Sequence, residues 1–81
     1  MSVYVKICGI TRSEDAAAAC EAGVDAIGFV FAPSKRRVDI ETATRVSEAI
    51  TRMERVGVFV EEPFSLVRDA VQRVPLQAVQ F

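Results

Sequence analysis

Cys8 sits in the run Val5-Lys6-Ile7-Cys8-Gly9-Ile10-Thr11 and is the side chain of this sequence best suited to chemistry. A thiol serves as a base or nucleophile when its thiolate is stabilised. Two neighbours are expected to contribute: Lys6, two residues away on the same strand face, and the N-terminus of the following helix. Gly9 allows the backbone beside the thiol to approach a ligand closely. The plainer alternative makes Cys8 a small buried apolar residue, a common fate of free cysteine. The pattern by itself leaves both open.

A second set of candidates lies in Ala32-Pro33-Ser34-Lys35-Arg36-Arg37. One arginine here is suited to clamp a phosphate or carboxylate, although a short basic run is as readily a solvated loop. Glu61 and Glu62 are candidates for acid, ligand contact or cap of a helix opening at Pro63, with capping the expected role of Glu62. Cys20 falls on a helical apolar stripe and is assigned to the core. Asp15, Asp25, Asp39 and Asp69 lie within or before helices, or ahead of a strand, so none is placed as a catalytic acid.

The chain has 81 residues, 51% of them hydrophobic, and a net charge of −1, which describes one soluble globular domain at most. This balance carries no footprint for nucleic acid. Two cysteines and no histidine offer neither a disulfide framework nor a zinc-ligand set, so no metal is expected and the setting reads as reducing and cytoplasmic. No charged n-region followed by an apolar h-region is visible and no apolar run approaches a membrane span, so neither export nor embedding is expected.

The elements that must position these residues alternate. Val3 to Cys8, Ala26 to Phe31, Val56 to Val60 and Ala78 to Phe81 read as strands. The first helix opens with the capping-box pattern Thr11-Arg12-Ser13-Glu14, ends at Gly23, and carries Ala16, Ala19 and Cys20 on its buried stripe. The second starts after Asp39 as N-cap and buries Ala43, Val46, Ile50 and Met53. The third opens at Pro63, buries Val67, Ala70, Val71 and Val74, and is stopped by Pro75. The result is a βαβαβαβ order, which favours a parallel sheet with right-handed crossovers.

Strand parity places Val3, Val5 and Ile7 on one face, suited to pack under helices, and Tyr4, Lys6 and Cys8 on the other. An inward lysine fits the interior of a barrel, where residues near the C-terminal strand ends surround a ligand. Gly28 and Gly57 either leave room beside such a site or allow close packing. A closed (β/α)8 barrel takes about 250 residues. Residues 1–81 therefore read as half of a TIM barrel, one domain that ends in its fourth strand. Its sheet edges are expected to invite self-association.

Val5 to Thr11, Ala22-Gly23-Val24-Asp25-Ala26-Ile27-Gly28-Phe29-Val30-Phe31, Ser34-Lys35-Arg36-Arg37-Val38, Val56-Gly57-Val58-Phe59-Val60 and Ala78-Val79-Gln80 together resemble the phosphoribosylanthranilate isomerase family, in order and along the whole chain. The resemblance implies the N-terminal half of a (β/α)8 TIM barrel of tryptophan biosynthesis that converts N-(5-phosphoribosyl)anthranilate to 1-(2-carboxyphenylamino)-1-deoxyribulose 5-phosphate by an Amadori rearrangement, with no metal or organic cofactor. It makes Cys8 the base that removes the proton from C2 of the sugar, and Arg36 a substrate contact that meets the anthranilate carboxylate or helps to orient that ring.

Gln80 matches the glutamine of the family's Val-Gln-Leu-His-Gly or Val-Gln-Phe-His-Gly stretch, and Glu61 stands where the family often has asparagine. The family's general-acid aspartate and its phosphate-binding backbone belong to the later half of the barrel. The chain alone is therefore expected to be inactive. The alternative is a non-catalytic half-barrel that works as an assembly module.

Overall fold

A computed structural model describes residues 3–50 and 52–81. Among them the order is β1 (Lys6–Cys8), α1 (Ser13–Glu21), β2 (Ala26–Val30), α2 (Ile40–Ser47), β3 (Glu54–Val58), α3 (Phe64–Arg73) and β4 (Ala78–Gln80). The strands form one sheet in the order β1-β2-β3-β4, every pair parallel, with Cys8 beside Gly28, Gly28 beside Val56 and Val56 beside Ala78. The βαβαβαβ expectation holds throughout.

The core lies between sheet and helices. Ile27, Phe29, Phe31 and Phe59 are all but fully buried there, under Ala16 and Ala19 of α1, Ala43 and Val46 of α2, and Val67 and Ala70 of α3. Phe31 and Phe59 stack with ring centroids 5.0 Å apart. Gly57 makes that stack possible, because a Cβ on it would stand 2.5 Å from Leu76 Cδ1 and 2.9 Å from Phe59 Cε2. Gly57 thus serves close packing on the helix side rather than room beside the site.

Polar side chains set several element ends where apolar periodicity predicts otherwise. The first ladder begins at Lys6, not Val3, because the Asp25 carboxylate takes the Val5 amide at 2.8 Å, and Val3, Tyr4 and Val5 are exposed. Ile7, expected beneath the helices, is 40% exposed on the edge strand. The third strand occupies Glu54–Val58, and the Val60 amide donates to Glu62 Oε1 at 2.6 Å, which draws the chain out of the ladder.

Helix α1 has Arg12 as its N-cap and no side-chain cap, so the capping box expected from Thr11 does not form. Its C-terminus follows the sequence. Gly23 takes φ +80, its amide donates to Cys20 O and the Val24 amide to Ala19 O, the paired bonds of a Schellman motif. Cys20 is half-buried against the core.

Asp39 caps α2 as expected, its Oδ1 accepting from the Thr42 amide at 2.7 Å. The helix stops at Ser47, short of the predicted Met53; Ile50 and Met53 are buried beyond its end. Arg55 explains the stop. Its guanidinium donates to Ser47 Oγ at 2.8 Å, Ser47 O at 3.2 Å and Ile50 O at 3.1 Å, satisfying carbonyls that another turn would have used.

Helix α3 has Pro63 as N-cap without a side-chain cap. Glu62, expected to cap it, is committed to Val60 instead. Val71 lies at the margin of the buried stripe, at 36% exposure, leaving Val67, Ala70 and Val74 to make it.

A candidate active site at the C-terminal strand ends

Cys8 ends β1 and faces the concave side of the sheet, with the polypeptide turning away at once. The Gly9 and Ile10 amides both donate to Gly28 O, at 3.0 and 3.1 Å, and Gly9 takes φ +86, a conformation side chains disfavour. Gly28 makes room for the thiol: a Cβ there would lie 3.0 Å from Cys8 Sγ and 3.3 Å from Cys8 Cα. Cys8 is half-buried and free.

The loop after β2 brings its cations to the same end. Val38 N–H donates to Val30 O at 2.9 Å, and within the loop Ser34 accepts twice, through Oγ from the Arg36 amide at 3.1 Å and through its carbonyl from the Arg37 amide at 3.2 Å. This local turn folds Arg36 back over β1. Its Cδ, Nε and Nη1 each lie 2.7 Å from where a Gly9 Cβ would be, and Nη1 is 3.4 Å from Cys8 O. Arg36 therefore lies flat over Gly9, exposed to solvent. Glycine at position 9 serves two needs, the positive φ and the passage of the guanidinium. The sequence signal for the first was legible; the serine two residues before an arginine was the unread signal for the second.

Lys6 and Gln80 meet on the same concave side, Lys6 Nζ donating to Gln80 Oε1 at 2.7 Å. The lysine inferred to be inward is inward, and it is held by an amide on β4. Among the described residues neither Lys6 nor Arg36 has a carboxylate within 4.0 Å. Glu61 is exposed beyond the end of β3. No group of three or more His, Cys, Asp or Glu side chains gathers to hold a metal among the described residues.

A groove of about 460 Å³ runs along the β1 edge and includes Ile7, Cys8, Gly9, Ala18, Ala22 and Arg36. A second hollow of about 470 Å³ involves Tyr4, Cys20, Arg52 and Glu54 and contains neither Cys8 nor Arg36. The Tyr4 hydroxyl in it is shifted above its ordinary range, by desolvation first and then by the carboxylates of Glu54 and Asp25. The first borders a thiol and a guanidinium at the C-terminal ends of parallel strands, and the second borders neither.

Parallel strands joined by helices, curled so that their inward residues meet, define the N-terminal half of a (β/α)8 barrel. The profile of the family described as N-(5′-phosphoribosyl)anthranilate (PRA) isomerase matches residues 5–81, and the chain belongs to that family. The N-(5′-phosphoribosyl)anthranilate isomerase of Thermotoga petrophila is 51% identical over 80 residues, covering 96% of this chain and 39% of that protein.

The crystal structure of phosphoribosyl anthranilate isomerase from Thermotoga maritima superposes with a TM-score of 0.90 at 49% identity, over 96% of this chain and 39% of that one. A structure of the isomerase in complex with reduced 1-(o-carboxyphenylamino)-1-deoxyribulose 5-phosphate also gives a TM-score of 0.90 at 49% identity, over 96% and 41%. The chain thus spans about two fifths of the length of these relatives. No helix among the described residues is long and apolar enough to cross a membrane.

Proposed function

We propose that residues 1–81 supply the base and the carboxylate contact of a phosphoribosylanthranilate isomerase in cytoplasmic tryptophan biosynthesis. The observation that carries this reading is the convergence of Cys8 and Arg36 across Gly9 at the C-terminal strand ends. A related isomerase is solved with a ligand that joins a carboxyphenylamino group to a sugar phosphate. Such a ligand matches a site that offers a guanidinium and a thiol on one side.

In this reading an acid first helps to open the ribose ring, and Cys8, as thiolate, then takes the proton from C2. Ring opening leaves a C1=N iminium, so as the C2–H electron pair forms the C1=C2 double bond the C1=N π pair returns to the anthranilate nitrogen. The enol amine so formed takes a proton at C1 and gives up its C2 hydroxyl proton to become the 2-ketose. A base for carbon must stand close to the C–H bond and hold its proton loosely near neutral pH, which suits a thiol. Arg36 fixes the anthranilate carboxylate by charge-assisted hydrogen bonds and so sets which sugar carbon faces Cys8. The ring-opening acid and the phosphate cradle come from the later part of the barrel. The 81 residues alone accordingly do not turn over substrate, and turnover at a family-like rate by purified, mass-verified chain would contradict this reading.

A second reading, a non-catalytic assembly module, draws on the β1 edge. Val5 and Ile7 are 44% and 40% exposed there, beside a groove floored by the small residues Ala18 and Ala22. An apolar edge strand of this kind pairs readily with another chain. Sedimentation at micromolar concentration separates the readings: a discrete dimer supports assembly, and a monomer or a polydisperse aggregate opposes it.

A further inference from the structure

Lys6 and Gln80 stand on the first and last strands of the sheet, with β2 and β3 between them, and still share a hydrogen bond of 2.7 Å. In a flat sheet these strands would lie about 14 Å apart, three spacings of about 4.8 Å, with their side chains standing parallel and out of reach. The contact exists because the sheet curls, and it is made on the concave side alone. It joins residues 74 positions apart in sequence.

Among the described residues β1 is three residues long and is paired with β2. Among the described residues the Lys6 ammonium has Gln80 as its one side-chain partner, and a charge-assisted bond of this kind is stronger than a neutral one. Cys8 is the next inward residue on the same strand.

We propose that Lys6 is a positioning residue: anchored on Gln80, it ties β1 to β4 across the concave face and thereby fixes where Cys8 stands relative to the far strand. This rests on the proposed function only in taking Cys8 as the reacting group, and its test needs no turnover, so the two can fail separately.

The test is amide hydrogen exchange on the full chain carrying K6M, K6R or Q80E. K6M keeps most of the side-chain bulk and removes the donor; the Gly9 and Ile10 amides, which anchor the turn after Cys8 on Gly28 O, are expected to exchange about tenfold faster. The Phe31 amide, bonded to Val58 O, keeps its rate. K6R still donates to Gln80 and stays near wild type, while Q80E turns the contact into an ion pair and slows Gly9 and Ile10. Unchanged Gly9 and Ile10 rates in K6M overturn the proposal. So does a uniform acceleration of all amides in K6M without slowing in Q80E. Should K6M fail to fold, Q80E decides alone.

Discussion

Arg36 lies across Gly9 with its Nη1 3.4 Å from the carbonyl oxygen of Cys8, so the cation from the β2 loop and the thiol of β1 share one place although 28 residues separate them. Two backbone features produce the arrangement: the Ser34 turn that folds the loop back and the positive φ that leaves position 9 without a side chain.

Replacing Gly9 by alanine should therefore do two things. The positive φ makes the folded state less stable by about 1–2 kcal/mol, since an L side chain resists that region. The new Cβ would stand 2.7 Å from three Arg36 atoms and push the guanidinium off Cys8. Urea denaturation reads the first effect, and a shift of the Arg36 Nε–Hε resonance in G9A reads the second. An unmoved resonance would show that Arg36 does not lie over Gly9.

G28A is expected to act on the thiol. A Cβ 3.0 Å from Sγ, with the Cys8 backbone at 3.3 Å behind it, leaves the Cys8 side chain to rotate or β1 to shift. In a C20A background, where Cys8 is the one thiol, its alkylation rate with iodoacetamide should change severalfold while the β2 and β3 amides stay protected.

Arg55 ties the end of α2 to β3 through Ser47 and Ile50. R55M should cost about 2–3 kcal/mol of unfolding free energy, because it strips a charged donor from several carbonyls and leaves the buried Ser47 hydroxyl without its partner. The double variant R55M/S47A should recover part of this loss, because the orphaned hydroxyl is then gone.

The Asp39 carboxyl is held below its usual range, chiefly by the hydrogen bond with Thr42 at the start of α2. A carboxyl whose folded pKa is depressed contributes stability that is fully present above its unfolded pKa and is lost as pH falls through the folded one. Denaturation midpoints should thus drop on acidification below the ordinary aspartate range. D39S, which retains a capping oxygen but does not titrate, should lose that part of the dependence and keep the helix.

Much of the fold was legible because alternating apolar strands and helical stripes follow from burial alone, and parallel topology then put Cys8 and the cationic loop at one end. The misplaced ends share a cause. Asp25, Glu62 and Arg55 each spend a side chain on a backbone group at a strand or helix terminus, and such pairings depend on neighbours that periodicity does not reveal. Gly57 shows the same limit, its role settled by Phe31, Phe59 and Leu76 on the helix side. Cys8 and the basic loop stood out by residue type and position, while the choice of Arg36 within that loop came from the family resemblance. The Lys6–Gln80 bond was not legible, because it depends on how far the whole sheet curls.

The central claim is that Cys8 of this chain is the proton-abstracting base of the isomerase. Its most direct test is a chimera in which residues 5–81 replace the corresponding part of the Thermotoga maritima enzyme, assayed for conversion of N-(5-phosphoribosyl)anthranilate with Cys8 intact and as C8A. The chimera should turn over substrate and C8A should lose about 10²–10⁴-fold in kcat with its fold preserved, the range expected when a general base is removed. A folded C8A chimera as active as its parent would contradict the account.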